Sequence, residues 1–351
     1  MSTLTEAAYF TRRGINVAII VLIVYIILRI FWGVTVSIFM FLFPPKPPPP
    51  NHRFGVLPRL KFPEVASPSG QLTFRLETIE GSVPPASGSA VVYFMPKALA
   101  NFNGLPRAQK FAEEFQFSPE PTQETKTVFR FRDPEFPFRQ LRYDIVAHNF
   151  ILRYAYEQDT GLFSENNLSS GESAEAQTLN LLQQEGLFVD EYKKSPIKIS
   201  FHKLVGNTLL PAPSQSQANA VRVDIFRNPV GGFPVYTPQP EVGPVSALYS
   251  GSSNPRKRIL QFSYTYWPID TKAVGTYRLK TSDQAWQDLK SGNGYIPKYP
   301  QNTTIVVRQV KIGYYDSIEE QSYLQPIFVF EGDEGFVGYV QAVAAPWVKT
   351  D

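Results

Sequence analysis

The sequence predicts an α+β protein: an N-terminal transmembrane helix, then a β-rich body in which helices pack on antiparallel sheets. Three observations predict it. From Ile15 to Phe43 the chain is almost continuously apolar, with Arg29 as its one charge. Among 351 residues there are 31 Pro, and aromatics reach 14%, with 27 Phe and 18 Tyr, a composition that favours strands and turns over long helices. Beyond residue 68, short alternating or apolar runs are separated by Pro, Gly and Asn, which is strand punctuation.

The apolar run comes first. As a helix it would be about 44 Å long, against a hydrocarbon core of about 30 Å, so it crosses a bilayer once with length to spare. It is too long for a cleaved signal peptide, whose apolar region is about 7–15 residues. Pro44 and Pro45 stop it. Arg12 and Arg13 flank one side, and Lys46, Arg53 and Arg59 the other, so the positive-inside bias is nearly balanced. A large downstream domain translocates regardless of such charges, so the expected topology is a cytoplasmic N-terminus and an extracytoplasmic body. Arg29 lies mid-run, where an arginine costs about 2.5–3.5 kcal/mol on insertion scales. It either contacts a polar group on a partner's membrane helix or snorkels to the headgroups.

Residues 44–50 read Pro-Pro-Lys-Pro-Pro-Pro-Pro, a polyproline II spacer. With the mixed segment to residue 68 it forms an expected stalk. The expected divisions are a cytoplasmic 1–14, a membrane span 15–43, a stalk 44–68, and α+β units over 69–205 and 206–351.

Candidate strands follow at 71–80, 90–95, 127–132, 139–147, 150–156, 196–205 and 221–227, then at 257–267, 276–280, 303–315, 323–331 and 335–343. Three helices stand out. In 106–116, Ala108, Phe111, Ala112 and Phe115 share a face behind Pro106. In 174–185, Leu179 and Leu182 share a face and Gly186 suits the C′ position. In 282–291, Thr281 and Gln284 form a T-x-x-Q capping box, with Ala285, Trp286 and Leu289 facing inward and Gly292 ending the helix. The order β-α-β-β-β occurs twice, over 90–156 and 276–343, which predicts a structural duplication. The Pro-, Gly- and Ser-rich 206–256 reads as connection or edge.

The C-terminal stretch TYRLKTSDQAWQDLKSGNG (276–294), IVVRQVKIGYYDS (305–317), YLQPIFVFEGD (323–333) and FVGYVQAVA (336–344) resembles the C-terminal unit of YycH/YycI-type proteins and related PepSY-like modules. The stretch 105–156 resembles a second copy more faintly. The resemblance covers about 70 residues well, and its matched residues are mostly structural. It implies a bacterial, membrane-anchored extracytoplasmic protein with PepSY-like units, acting as a non-catalytic accessory regulator of a membrane sensor kinase. The Pro-rich stalk and the 157–195 segment depart from that pattern.

The chain offers little chemistry. It has no Cys, which excludes disulfides, thiolate metal sites and thiol nucleophiles, and the net charge of +3 is too weak and too dispersed for nucleic acid. His52, His148 and His202 have no metal-ligand spacing, and His202 reads as a solvent-facing strand residue. The acids Asp316, Glu319, Glu320 and Glu331, Asp333, Glu334 read as polar turns before a weak Ca²⁺ site. Arg256-Lys257-Arg258 reads as a solvated loop. The expectation is no catalytic, cofactor or metal residue. Tyr264, Tyr266, Trp267, Tyr314, Tyr315 and Tyr323, with Arg29, are the partner-contact candidates, provided that the aromatics share an exposed face. The expected partners are the lipid bilayer and a membrane protein. The leading expectation is therefore a binding or regulatory module. The alternatives are a scaffold subunit of a cell-envelope assembly and an enzyme.

Overall fold

A computed structural model describes residues 4–42, 49–65, 72–79, 81, 88–159, 161–165, 167–300 and 302–349. The chain forms two compact units, Met1–Pro48 and Pro49–Asp351. The first contains one helix, α1 (Leu4–Leu42). Its segment Gly14–Gly33 has a mean hydropathy of 2.6, and none of it is buried, so it is long and apolar enough to cross a membrane. Of the polyproline stretch expected at 44–50, only Pro49 and Pro50 are among the described residues.

The second unit runs, in chain order, β1 (Thr73–Leu76), β2 (Ser89–Phe94), α2 (Gly104–Glu114), β3 (Thr122–Gln123), β4 (Val128–Arg132), β5 (Arg139–Asp144), β6 (Phe150–Tyr154) and α3 (Gly171–Gln184). It continues with β7 (Ile197–Val205), β8 (Thr208–Ala212), β9 (Ala220–Ile225), β10 (Val235–Tyr236), β11 (Val245–Ser250), α4 (Pro255–Arg258) and β12 (Ile259–Tyr264). It closes with β13 (Asp270–Arg278), α5 (Ser282–Lys290), β14 (Thr304–Tyr315), β15 (Tyr323–Gly332) and β16 (Val337–Gln341). The α+β class and the antiparallel sheets are as expected.

Among the described residues the strands form two sheets. The seven-stranded sheet has the order β1-β14-β15-β2-β13, with β10 also paired to β14 and β16 to β15. Its central strand β15 is buried on both faces, which explains its nearly unbroken apolar run. The two-residue period still sorts it: Phe328 and Phe330 pack toward Ala285, Trp286 and Leu289 of α5, while Ile327 and Val329 face the opposite cluster. The α5 helix starts where the Thr281–Gln284 capping box was expected, and Gly292 (φ 81°) follows its end.

The opposite face is covered by the segment Asn51–Val65. This segment was expected to be stalk, but its docked part is a strap built into the domain. Leu57 and Leu60 are buried. Leu57 pairs with Val348, and its N–H donates to Trp347 O at 2.9 Å. His52 stacks on Trp347 at 3.7 Å and Phe62 on Tyr295 at 5.0 Å. Mixed composition hid a run in which every second or third residue is a large apolar anchor.

The nine-stranded sheet is antiparallel throughout, in the order β3-β4-β5-β6-β12-β11-β9-β7-β8. One face carries α2, through Ala108, Phe111 and Ala112, and α3, through Ala174 and Leu182, over a core that includes Phe131, Leu141, Phe150, Val223 and Phe262. The other face is polar in part, with Ala220 and Leu248 in a separate apolar cluster. In register across it run Arg142, Ile151, Ser263, Ser246 and Asp224.

A helix followed by a three-stranded antiparallel meander does recur, as α2-β4-β5-β6 and α5-β14-β15-β16. The leading strands of the two expected copies, β2 and β13, instead pair with each other in the seven-stranded sheet. The nine-stranded sheet is therefore built between Phe94 and Asp270, which are register partners, and the chain rejoins the seven-stranded sheet once on the way, where β10 pairs with β14. The expected boundary at 205/206 falls inside the β7–β8 hairpin and separates no sheets. The stretch 206–256, expected as connection, supplies β11, whose six residues are all buried.

Candidate functional site

The two sheets meet at a buried ion cluster. Arg227 follows β9, and its Nε lies 3.3 Å from Asp316 Oδ2 and 3.6 Å from Glu191 Oε1. Its Nη2 donates to Trp267 O at 2.8 Å, and its guanidinium lies over the Tyr266 ring at 5.3 Å. Burial pushes the Asp316 carboxyl up, with Arg227 opposing, and the carboxylates around Arg227 outweigh its own burial to keep it charged. Both side chains are almost wholly enclosed, Asp316 being 4% exposed. The pair is not fully answered, since Arg227 Nη1 and Asp316 Oδ1 have no hydrogen-bond partner among the described residues.

Beside this cluster opens a cleft of about 630 Å³, within the size range of ligand sites. Its floor is the polar face of the nine-stranded sheet, with Arg142, Ile151, Gln261 and Ser263, and its walls are the loops 237–244 and 316–320. The second loop is fixed at several points. Asp316 N–H donates to Tyr236 O at 2.9 Å. Trp267 Nε1 donates to Ile318 O at 3.3 Å, and Gln321 Nε2 to Tyr315 O at 2.9 Å. Asp144 closes one end, its Oδ1 accepting from the N–H groups of Val146 and Ala147 at 2.8 and 3.0 Å. That Asx turn is why β5 ends before the expected residue 147.

The cleft is acidic. Arg142 is opposed by Asp144, Asp316, Glu319 and Glu320 in its lining, and Arg142 is itself engaged by Glu124 at 2.6 Å. Two enclosed polar atoms of the lining, Asp316 Oδ1 and Asn149 Nδ2, have no hydrogen-bond partner among the described residues. A second hollow, of about 650 Å³, lies under the strap, lined by Arg59, Phe62, Tyr295 and Tyr299 among others.

The aromatic partner-contact candidates do not share an exposed face. Tyr264, Trp267, Tyr314 and Tyr315 are buried, and Tyr266 and Tyr323 half-buried. Tyr264 OH donates to Leu187 O at 3.1 Å, and burial pushes its phenol up to about 12. Tyr314 OH donates to Val91 O at 2.8 Å, while Tyr315 and Tyr323 pack on Phe62 and Phe54 of the strap. The Tyr264 and Tyr314 hydroxyls serve as internal hydrogen-bonding groups, which lets tyrosine replace phenylalanine in a core. Of the six, Tyr266 and Trp267 stand beside the cleft. Arg29 lies within the apolar window of α1.

Other expectations shift as well. His202 is buried, not solvent-facing: it lies 2.9 Å from Ser200 Oγ, and burial with Arg222 nearby pushes its imidazole down to about 4. Arg256 and Lys257 are not free loop cations, since they pair with Asp133 and Asp159 at 3.1 and 2.7 Å. Asp333 pairs with Arg308 at 2.8 Å. Among the described residues no group of three His, Asp or Glu side chains is placed to hold a metal ion. Sequence reasoning had Asp316, Glu319 and Glu320 as a cluster, but Arg227, Asn149 and Ser263 carried no local signal.

No protein-family model matches the chain. No curated protein matches it either. A solved structure similar to it is that of an uncharacterized protein from Eubacterium rectale, at 12% identity and a TM-score of 0.36, covering 73% of this chain and 82% of that one. A likeness at that level assigns neither a fold family nor a function.

Proposed function

We propose that the protein is a non-enzymatic, single-span membrane-anchored binding protein, with its N-terminus in the cytoplasm and the Pro49–Asp351 unit outside. In this reading the unit engages a membrane protein through the cleft between the sheets. The observation that carries it is the apolar window Gly14–Gly33, left wholly unburied in a chain whose other unit has its own closed cores. The C-terminal resemblance to YycH/YycI-type proteins names a membrane sensor kinase as the partner and makes the activity accessory regulation. The acidic cleft supplies a contact surface whose floor and walls come from separate elements.

The test uses the full chain with a C-terminal tag in bacterial membranes. The expected result is an intact-mass protein that stays in the membrane pellet through alkaline carbonate, with the tag cut by protease added to spheroplasts. A photo-crosslinking residue at Ser263 is expected to yield an adduct with a membrane kinase. Cleavage after the apolar run, release by carbonate or a protected tag would overturn the anchor and its orientation. Adducts consisting of repeated envelope components would replace the regulatory reading with the scaffold one.

A further inference from the structure

We propose that the cleft takes a basic, apolar peptide segment: an extended stretch with Lys or Arg beside large aliphatic side chains. The inference rests on the cleft being the partner site and specifies what enters it.

Three independent observations agree. First, charge: four carboxylates line the cleft against Arg142, and with Arg142 paired to Glu124, Asp316 to Arg227 and Glu320 to Lys97, Asp144 and Glu319 give the lining its net negative charge. Such a lining repels anions and raises the local concentration of cations. Asp316 strengthens it from inside. Its Oδ2 faces Arg227, but its enclosed Oδ1 has no donor among the described residues, so part of that carboxylate's charge stays unanswered behind the cleft wall.

Second, the rim is apolar and bare. Ile318, in the cleft lining, is 60% exposed, and the loop 96–103 carries Leu99 at 84% and a fully exposed Phe102. Both ends of this loop lie beside the cleft lining. Lys97 Nζ lies 3.6 Å from Glu320. At the far end, Gly104 packs so closely on Ile145 O, next to Asp144, that a Cβ would not fit. Isolated surface apolar residues need no explanation, but three of them beside one cleft mark a contact surface.

Third, the alternatives fit less well. A glycan site wants an open aromatic platform, and Trp267 is only 8% exposed. A nucleic acid or anionic lipid would meet the wrong sign of charge. A basic peptide with apolar side chains satisfies both the acidic lining and the bare rim.

The test uses the full chain in zwitterionic lipid nanodiscs, with empty discs as the blank. The probe is a fluorescein-labelled peptide of alternating Lys and Leu, read by anisotropy against a Glu–Leu peptide of equal length. The Lys–Leu peptide is expected to bind and to weaken as salt rises. The pairs Glu319→Gln with Glu320→Gln, and Leu99→Ser with Phe102→Ser, are each expected to weaken it by about tenfold. Ile79→Ser, an exposed apolar residue in neither the lining nor the loop 96–103, is expected to leave it unchanged. Equal binding of the Glu–Leu peptide, or an affinity untouched by either pair, overturns the proposal, as does an equal loss with Ile79→Ser.

Because the chain has no cysteine, a solvatochromic dye on Ala100→Cys reports on the loop alone. Its emission is expected to shift only when peptide is added. A dye already blue-shifted in the disc would assign the loop to lipid and overturn the peptide reading. If the peptide assay fails while Ser263 still crosslinks a kinase, this inference falls and the proposed function stands.

Discussion

Arg227→Met tests how the two sheets are held together. In the native chain Arg227 answers Asp316 and Glu191 and also donates to Trp267 O. Methionine keeps most of the volume but leaves Asp316 as a lone carboxylate in a dry site. Breaking a buried pair from one side costs about 3–5 kcal/mol, and the orphaned Trp267 carbonyl adds about 1 kcal/mol. The expected loss is therefore about 4–6 kcal/mol near neutral pH, read from urea denaturation of the full chain in detergent.

Two controls sharpen this prediction. In the variant Asp316 has lost its cation, so burial and the nearby Glu191 act on it unopposed and its folded pKa lies above the unfolded value of about 3.9. A group with a raised folded pKa holds its proton longer in the folded state, so stability falls as pH rises through that window. The deficit should be larger at pH 8 than at pH 5. Pairing Arg227→Met with Asp316→Leu removes both charges and should recover most of the loss, because a buried ion pair replaced by apolar groups is often neutral. A deficit under about 1 kcal/mol, one independent of pH, or a double variant as unstable as the sum of the singles would refute the assignment.

Two further outcomes follow from the same coordinates. Burial, with a hydrogen bond to the Glu114 carboxyl, pushes Glu185 up to about 7. The folded protein thus holds a proton that the unfolded chain releases near pH 4.3, and stability should fall between about pH 4.5 and 7. Glu185→Gln should flatten that slope in pH-dependent urea midpoints, and an unchanged slope would remove Glu185 from the account. Leu57→Ala, in the strap and fully buried, should destabilise the protein by about 2–5 kcal/mol. Thermal melts check it, and a change within a few tenths of a kcal/mol would mean that the strap is only draped over the sheet.

What could be read in advance was local. The capping box of α5 joins residues three apart, and the stripe of α2 needs only a helical period, so both were visible in a short window. Most strands also showed, because alternation is a local signal. β11 was hidden: Val-Ser-Ala-Leu-Tyr-Ser is buried on both faces, does not alternate, and sits among prolines and glycines. The partner of each strand was also hidden. Nothing near β2 says that it pairs with β13 instead of with the meander that follows α2. The cleft depends on those distant choices. Its acids 316–320 were visible as a cluster, but the floor that they face comes from strands far away in the chain. The aromatic residues misled for a related reason: a tyrosine whose hydroxyl bonds a buried carbonyl looks, in sequence, like one at an interface.

The pairing of Phe94 with Asp270 bears on how such a protein can change over generations. The long detour that builds the nine-stranded layer departs and comes home at adjoining positions, and it is pinned to the host sheet once between them, where Val235 and Tyr236 pair with Tyr314 and Tyr315. Lengthening or trimming a loop costs closure entropy only as the logarithm of its size. The segments between these three attachments can therefore lengthen or shorten while the attachments stay fixed, leaving the host sheet as a constant frame.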